Sequence, residues 1–227
     1  AARHVPWVLF EEQLRFVDRL FLSGGFRIEN NSVFGTRTTE RGSLAYLIKE
    51  TGTKIHGGAG SGFRAPTLND LFFPGFSNPA LKPETSFSWD VGVDQKLWKD
   101  RVRLGVTYFH NVVENLITFV AIPVAPFVTA VNTNTARAPG VEITSEADLL
   151  DTLTAFVNYT HTNSDNEAAH RPLARQPFHR WNAGLSWQAT SRLSLFTEAH
   201  VVSNLWEPTG GSGALKLGVY NRGYARV

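Results

Sequence analysis

The strongest constraint on this chain is the way its connections are sorted. Short links at residues 17–19, 51–52, 99–101, 151–152 and 190–192 separate segments of two-residue periodicity. They alternate strictly with long polar or Pro/Gly-rich connections at 30–39, 65–86, 121–136, 164–177 and 207–221. In an up-and-down sheet every second connection lies at the same end, so one end here carries short turns and the other long loops. A soluble sandwich has no reason to sort its loops this way. A sheet that crosses a bilayer does, with short turns on one side and long loops on the other.

The segments themselves read as strands. Phe87, Trp89, Val91 and Val93 alternate with Ser88, Asp90, Gly92 and Asp94. Trp181, Ala183, Leu185 and Trp187 alternate with Asn182, Gly184, Ser186 and Gln188. Residues 102–108 and 153–160 repeat the pattern, and 20–28, 44–48 and 193–201 carry weaker forms of it. Alternation puts one apolar and one polar face on each strand. No long segment shows helical spacing. The expectation is an all-β, antiparallel transmembrane β-barrel of about eleven strands, most of the ~9–11 residues needed to cross a bilayer.

Hydrophobic residues make up 42% of the chain and mean hydropathy is −0.16, values that would suit a soluble protein. No apolar run reaches the roughly 18 residues of a membrane helix, so helical spans are excluded. Barrel strands are not, because alternation dilutes their hydropathy. Aromatics reach 12%. Trp89 and Trp181 fall toward the long-loop ends, and Trp187 and Trp98 toward the short-turn ends, where amphipathic rings favour the headgroup region. Trp98 has the parity of the polar face, so it joins the girdle only if alternation breaks at its turn.

Other chemistries find little support. With no Cys there is no disulfide or thiolate chemistry, and a net charge of +2 gives no argument for nucleic acid. Seven His at 4, 56, 110, 161, 170, 179 and 200 form no i, i+4 pair, so no metal site is expected. Gly58-Ala59-Gly60-Ser61-Gly62 lacks the spacing of a phosphate loop, no G-x-S-x-G elbow is present, and neither an enzyme nor a cofactor is expected. Asn30-Asn31-Ser32 and Asn158-Tyr159-Thr160 match the glycosylation triplet only by chance. Met is absent, even at position 1, and no signal peptide opens the chain. The simplest reading is that Ala1 is not the biological start.

One stretch carries a sharper signal. Gly60-Ser61-Gly62-Phe63-Arg64-Ala65-Pro66-Thr67-Leu68-Asn69-Asp70-Leu71-Phe72, followed by Asn78-Pro79-Ala80-Leu81-Lys82-Pro83-Glu84, resembles TonB-dependent outer-membrane receptors, in which "GFRAPT" leads through a loop to "NPxLKPE". Residues 134–142, with Arg137-Ala138-Pro139-Gly140-Val141-Glu142, are similar to the family's A-x-x-x-G-V-E strand start. Residues 178–187 and 220–227 also look like late barrel strands of these receptors. The resemblance points to the vitamin B12 and catecholate siderophore branch.

It implies a 22-stranded plugged barrel, of which residues 1–227 are a partial barrel domain without the plug and the final strands. It further implies outer-membrane lipid around the strands of a Gram-negative bacterium. The ligand implied is cobalamin or a ferric siderophore, and the partner implied is the TonB-ExbB-ExbD complex, acting through the missing plug. The implied function is active uptake of a scarce nutrient; a passive porin-type channel is the alternative.

Candidate ligand contacts are Arg64, Asn69, Phe72, Phe73 and Phe76 around loop 65–86, whose three Phe form an apolar cluster in a segment expected to face water. Phe127, with Pro123 and Pro126, is a candidate second wall. Gly58, Gly60 and Gly62 leave one strand face without side chains, suited to close approach by a plug. Asp90, Asp94, Arg103, Glu142, Glu146 and Glu198 share the polar face and are read as solvated by a wet interior. Nothing in the loops is dense enough in Arg or aromatics to single out a triscatecholate ligand.

Overall fold

The computed structural model describes residues 6–133, 135–167, 172–173, 176–203, 205–206, 214–215 and 220–226. β1 (Trp7–Phe16), β2 (Leu20–Asn31), β3 (Gly35–Ile48) and β4 (Thr53–Arg64) lead into a short helix, α1 (Leu68–Phe72). β5 (Glu84–Leu97) and β6 (Val102–Glu114) follow, then a small hairpin of β7 (Ile117–Ala121) and β8 (Val128–Asn132). Next come β9 (Thr135–Leu150), β10 (Leu153–Thr162), the two-residue β11 (Asp165–Asn166), β12 (His179–Gln188) and β13 (Ser194–Ser203). β14 (Leu205–Trp206), β15 (Ala214–Leu215) and β16 (Tyr220–Arg226) come last.

One antiparallel 12-stranded sheet dominates, in the order β1-β2-β3-β4-β5-β6-β9-β10-β12-β13-β16, with β11 beside β9. Its eleven path strands match the expected number. β2 to β6 and β9 run to 12–16 residues, longer than the hydrocarbon demands. Their surplus continues past the bilayer as paired strand.

The apolar pattern is inside out. Among the described residues only Leu71, Leu81, Ala130 and Ala136 form buried apolar core, while the apolar faces of the strands, from Phe10 and Phe26 to Val91, Val106, Ile143 and Trp187, are exposed. In water such a sheet would bury too little apolar surface to offset its ordering entropy. Lipid is the solvent that suits this face, since it leaves strand backbones paired only to one another.

Register defines the two faces. Across the polar face Gly92 lies opposite Thr107, Thr107 opposite Glu142, Glu142 opposite Thr160, and Thr160 opposite Arg180. Neighbouring side chains fold flat over glycine on this face. A Cβ on Gly92 would meet His56 Nε2 at 2.7 Å, and one on Gly140 would collide with the Phe109 ring.

On the apolar face, Trp181 packs on Tyr159 with centroids 4.2 Å apart, and Tyr159 Oη lies 2.8 Å from His179 Nδ1. Trp98 sits in the β5–β6 turn at φ +50 and is 76% exposed. It lies past the end of β5, where the alternation of the strand no longer fixes its face.

The short links fall where expected, at turns 17–19, 49–52, 98–101, 151–152 and 189–193. Residues 30–39 do not form a long loop: β2 and β3 pair out to Asn31 and Gly35, leaving a turn of 32–34. The reason is local. Asn31 Oδ1 accepts from Val33 N (3.0 Å) and Phe34 N (3.1 Å), and Gly35 takes φ +75, so the polar run zips into a hairpin. The connection expected at 121–136 spans 115–134 and contains the β7–β8 hairpin. Most of 207–221, together with His4 and His170, lies outside the described residues.

Candidate ligand-facing site

The recognisable motif builds the base of the loops. Arg64 ends β4 opposite Glu84, which opens β5. Their side chains form a two-pronged ion pair, Nε–Oε2 2.5 Å and Nη2–Oε1 2.6 Å. Glu84 is only 7% exposed, and its Oε1 also accepts from Ile117 N at 2.8 Å. Pro66 is fully buried. Thr67 caps α1 in a reciprocal box: Thr67 Oγ1 accepts from Asp70 N (3.1 Å), and Asp70 Oδ2 accepts from Thr67 N (2.8 Å).

From there two loops interlock. Leu71 from α1, Leu81 and Ala130 from β8 form the buried cluster, joined by Phe34 of the β2–β3 turn and Ile117 of β7. Ala130 N donates to Phe76 O at 2.7 Å, and Asn78 Nδ2 donates to Ala130 O at 3.0 Å. Asn132 Oδ1 accepts from Lys82 N (2.7 Å), while its Nδ2 donates to Lys82 O (2.9 Å) and Asn115 O (2.7 Å). The only packed apolar core among the described residues thus lies in the loops.

This base carries an aromatic ridge. Phe73 stacks on Phe76 with centroids 5.0 Å apart, and Phe76 meets Phe119 edge-on at 5.2 Å. Phe72, 64% exposed, precedes Phe73 at the end of α1, and Phe73 and Phe119 are exposed too. Asn69 is exposed on α1. Arg64 is not a free cation; Glu84 occupies its guanidinium, which makes it an anchor of the loop. Phe127 is exposed in the β7–β8 turn with Pro123 and Pro126, and no ring contact ties it to the ridge. Phe119 and Asn132 escaped the sequence reading, as did the pairing of the motif residue Glu84 with Arg64. Phe119 left a faint signal, the apolar run of residues 117–121 set among loop residues.

Toward the short-turn end the polar face holds ion pairs: Lys54–Asp94 (2.6 Å), Arg103–Glu146 (3.1 Å) and Arg103–Asp148 (3.1 Å). Nearer the loops Gly58 and Gly60, with Ser23, Ser43 and Ser88, floor a shallow hollow between Arg41 and Asp90. Gly62 continues the same row opposite Ser86. Among the described residues no group of His, Asp or Glu is placed to hold a metal ion.

Comparison with known proteins gives a consistent result. The family described as "TonB dependent receptor-like, beta-barrel" matches residues 7–227. An iron-regulated outer membrane virulence protein of Vibrio cholerae serotype O1 is 29% identical over 234 residues, covering 92% of this chain and 35% of that protein. The vitamin B12 transporter BtuB of Vibrio vulnificus is 32% identical over 117 residues, covering 52% of this chain and 19% of that protein. Among solved structures, the ferric enterobactin receptor PfeA of Pseudomonas aeruginosa superposes with a TM-score of 0.76 at 21% identity, over 96% of this chain and 36% of that one. The chain spans about a third of the length of the V. cholerae relative.

Proposed function

The chain belongs to the TonB-dependent receptor β-barrel family, and from that premise we propose that its parent protein takes up a scarce nutrient, cobalamin or an iron-siderophore, with energy delivered by the TonB-ExbB-ExbD complex. The family is one of outer-membrane receptors, and the apolar outer face described above suits that membrane. Under this reading residues 1–227 are part of the barrel, and a plug and further strands belong to the rest of the parent. Gly58 and Gly60 then floor the hollow against which the plug packs, and Gly62 continues their row. Nothing about the family or the site asks for an enzyme.

The observation that carries the proposal is the aromatic ridge of Phe73, Phe76 and Phe119, with Phe72 next to it in sequence, carried on two interlocked loops. Exposed apolar clusters on a rigid base are contact surfaces, and pre-ordering the loops reduces what a ligand must order on binding. A passive pore gains nothing from such a ridge, and family membership also disfavours the porin reading.

The test uses the intact receptor. Cobalamin and a panel of ferric siderophores are titrated against it, and its ion conductance is measured in planar bilayers. Binding of one ligand class with little conductance supports active uptake. Free conductance with no binding would return the molecule to the porins.

A further inference from the structure

The outer face is not uniform, and an apolar hollow lies at its short-turn end. Leu150, Leu153, Leu185, Trp187 and Leu195 surround a hollow of about 560 Å3, with Thr197 at its edge. Register explains the concentration of leucine. Leu153 pairs with Leu150 while Thr154 pairs with Asp148, so Leu149 is an extra residue in β9. Without this bulge, parity would turn Leu150 to the polar face with Asp148. With it, Leu149 and Leu150, 53% and 57% exposed, both stand on the apolar face. A bulge re-aims side chains, and this one supplies a second consecutive leucine to lipid.

The turn next to the hollow carries a cation. Arg192 lies in the link between β12 and β13, the strands that contribute Leu185, Trp187 and Leu195, and it is exposed. Arg19 and Arg101, in two other short turns, are tied to Glu50 and Asp151. Arg192 has no ion-pair partner among the described residues.

We propose that this hollow is a site for one glycerophospholipid of the periplasmic leaflet. A length of its acyl chain lies among the leucines, its phosphate meets Arg192, and the Trp187 indole sits at the headgroup boundary. The short turns place the site in the leaflet that faces the periplasm. The chemistry required is an alkyl chain joined to an anionic phosphate, which matches an apolar hollow beside a turn that carries an arginine unpaired among the described residues.

The test is native mass spectrometry of the intact receptor, released from mild detergent after titration with phosphatidylethanolamine or phosphatidylglycerol. One phospholipid is expected to remain bound. Thr197→Trp, which fills the hollow from an outward-facing position, removes that adduct. Arg192→Ala weakens it about fivefold, the effect of one cation near a lipid surface. Heat-modifiable migration on gels confirms that both variants are folded. Retention unchanged in Thr197→Trp overturns the proposal. So does a tightly held lipopolysaccharide, or a second protein copy, that Thr197→Trp displaces in place of a phospholipid.

Discussion

Asn132 holds the backbone of Lys82 at two points, accepting from its N–H at 2.7 Å and donating to its C=O at 2.9 Å. A side-chain amide thereby imitates a strand partner and clips two loops separated by fifty residues. Asn132→Ala removes these bonds and the one to Asn115 O. At about 1 kcal/mol each, the loop contact should lose about 2–3 kcal/mol. Hydrogen exchange at the Lys82 amide of the intact receptor should accelerate at least tenfold, while amides within β5 stay protected. Unchanged exchange at Lys82 would mean that the loops hold together without the clip.

Arg64 and Glu84 make an unequal pair: the guanidinium is half exposed, the carboxylate buried. Arg64→Ala strands an ionised carboxylate beneath the loops, whereas Glu84→Gln keeps an acceptor for Ile117 N and leaves a hydrated guanidinium. Removing one partner of a fully buried pair costs about 3–5 kcal/mol, and exposure of Arg64 reduces that to roughly 1–3 kcal/mol. Exchange at the Ile117 amide should rise more in Arg64→Ala than in Glu84→Gln. The reverse order would show that the loop depends on the charge of Glu84 rather than on its pairing.

Phe76 is the hub of the ridge, touching both Phe73 and Phe119. Truncating it removes two ring contacts, each about 0.5–1.5 kcal/mol, and lets both neighbours relax. Phe76→Ala should therefore weaken binding of the receptor's ligand about tenfold, and Phe119→Ala less. Phe127→Ala, remote from these contacts, should leave affinity close to wild type. Equal losses at Phe76 and Phe127 would place the contact surface elsewhere.

These relationships mark the limit of what the sequence discloses. Strand faces were legible because Trp89, Val91 and Val93 repeat with the period of the pleat, and the short turns because they interrupt it. Residues 30–39 misled because polar composition signals a loop only where nothing pairs the backbone; Asn31 and Gly35 formed a turn that let it pair. The motif residues Arg64, Asn78 and Glu84 gave the family, and Arg64 looked available for ligand because its partner, Glu84, lies 20 residues away; Asn78 likewise finds Ala130 52 residues on. The clip by Asn132 and the bulge at Leu149 depend on register between strands, which leaves no mark on local composition.

Val17 and Asp18 are the central residues of the β-turn within link 17–19, in which Arg19 N donates to Phe16 O at 3.1 Å, with φ of +45 at Val17 and +52 at Asp18. Such turns suit Asn or Gly; a β-branched side chain is strained there. Val17 is 90% exposed, so it gains no packing in return. Val17→Asn should stabilise the folded receptor by roughly 1 kcal/mol, seen as a higher guanidinium midpoint for unfolding in detergent. A lower midpoint would show that the valine is held by contacts outside this chain.

Glu50 lies in the next short turn, outside the membrane-spanning segments, and binds Arg19 through both oxygens at 2.5 and 2.9 Å. These bonds to the guanidinium, reinforced by the hydrogen bond from its own backbone, hold the Glu50 carboxyl down at about 2. The folded-state value is depressed, so the contribution to stability is fully present above the ordinary glutamate range near 4.3. It fades as pH falls through the window down to about 2. Around neutral pH it does not vary. Both partners are exposed, so the effect is small and is best read at the carboxyl itself. In carboxyl-labelled receptor, the Glu50 carbon signal should titrate near the bottom of the acid range, and Arg19→Ala should return it toward 4.3. A midpoint unmoved by Arg19→Ala would show that the two turns are not coupled through this pair.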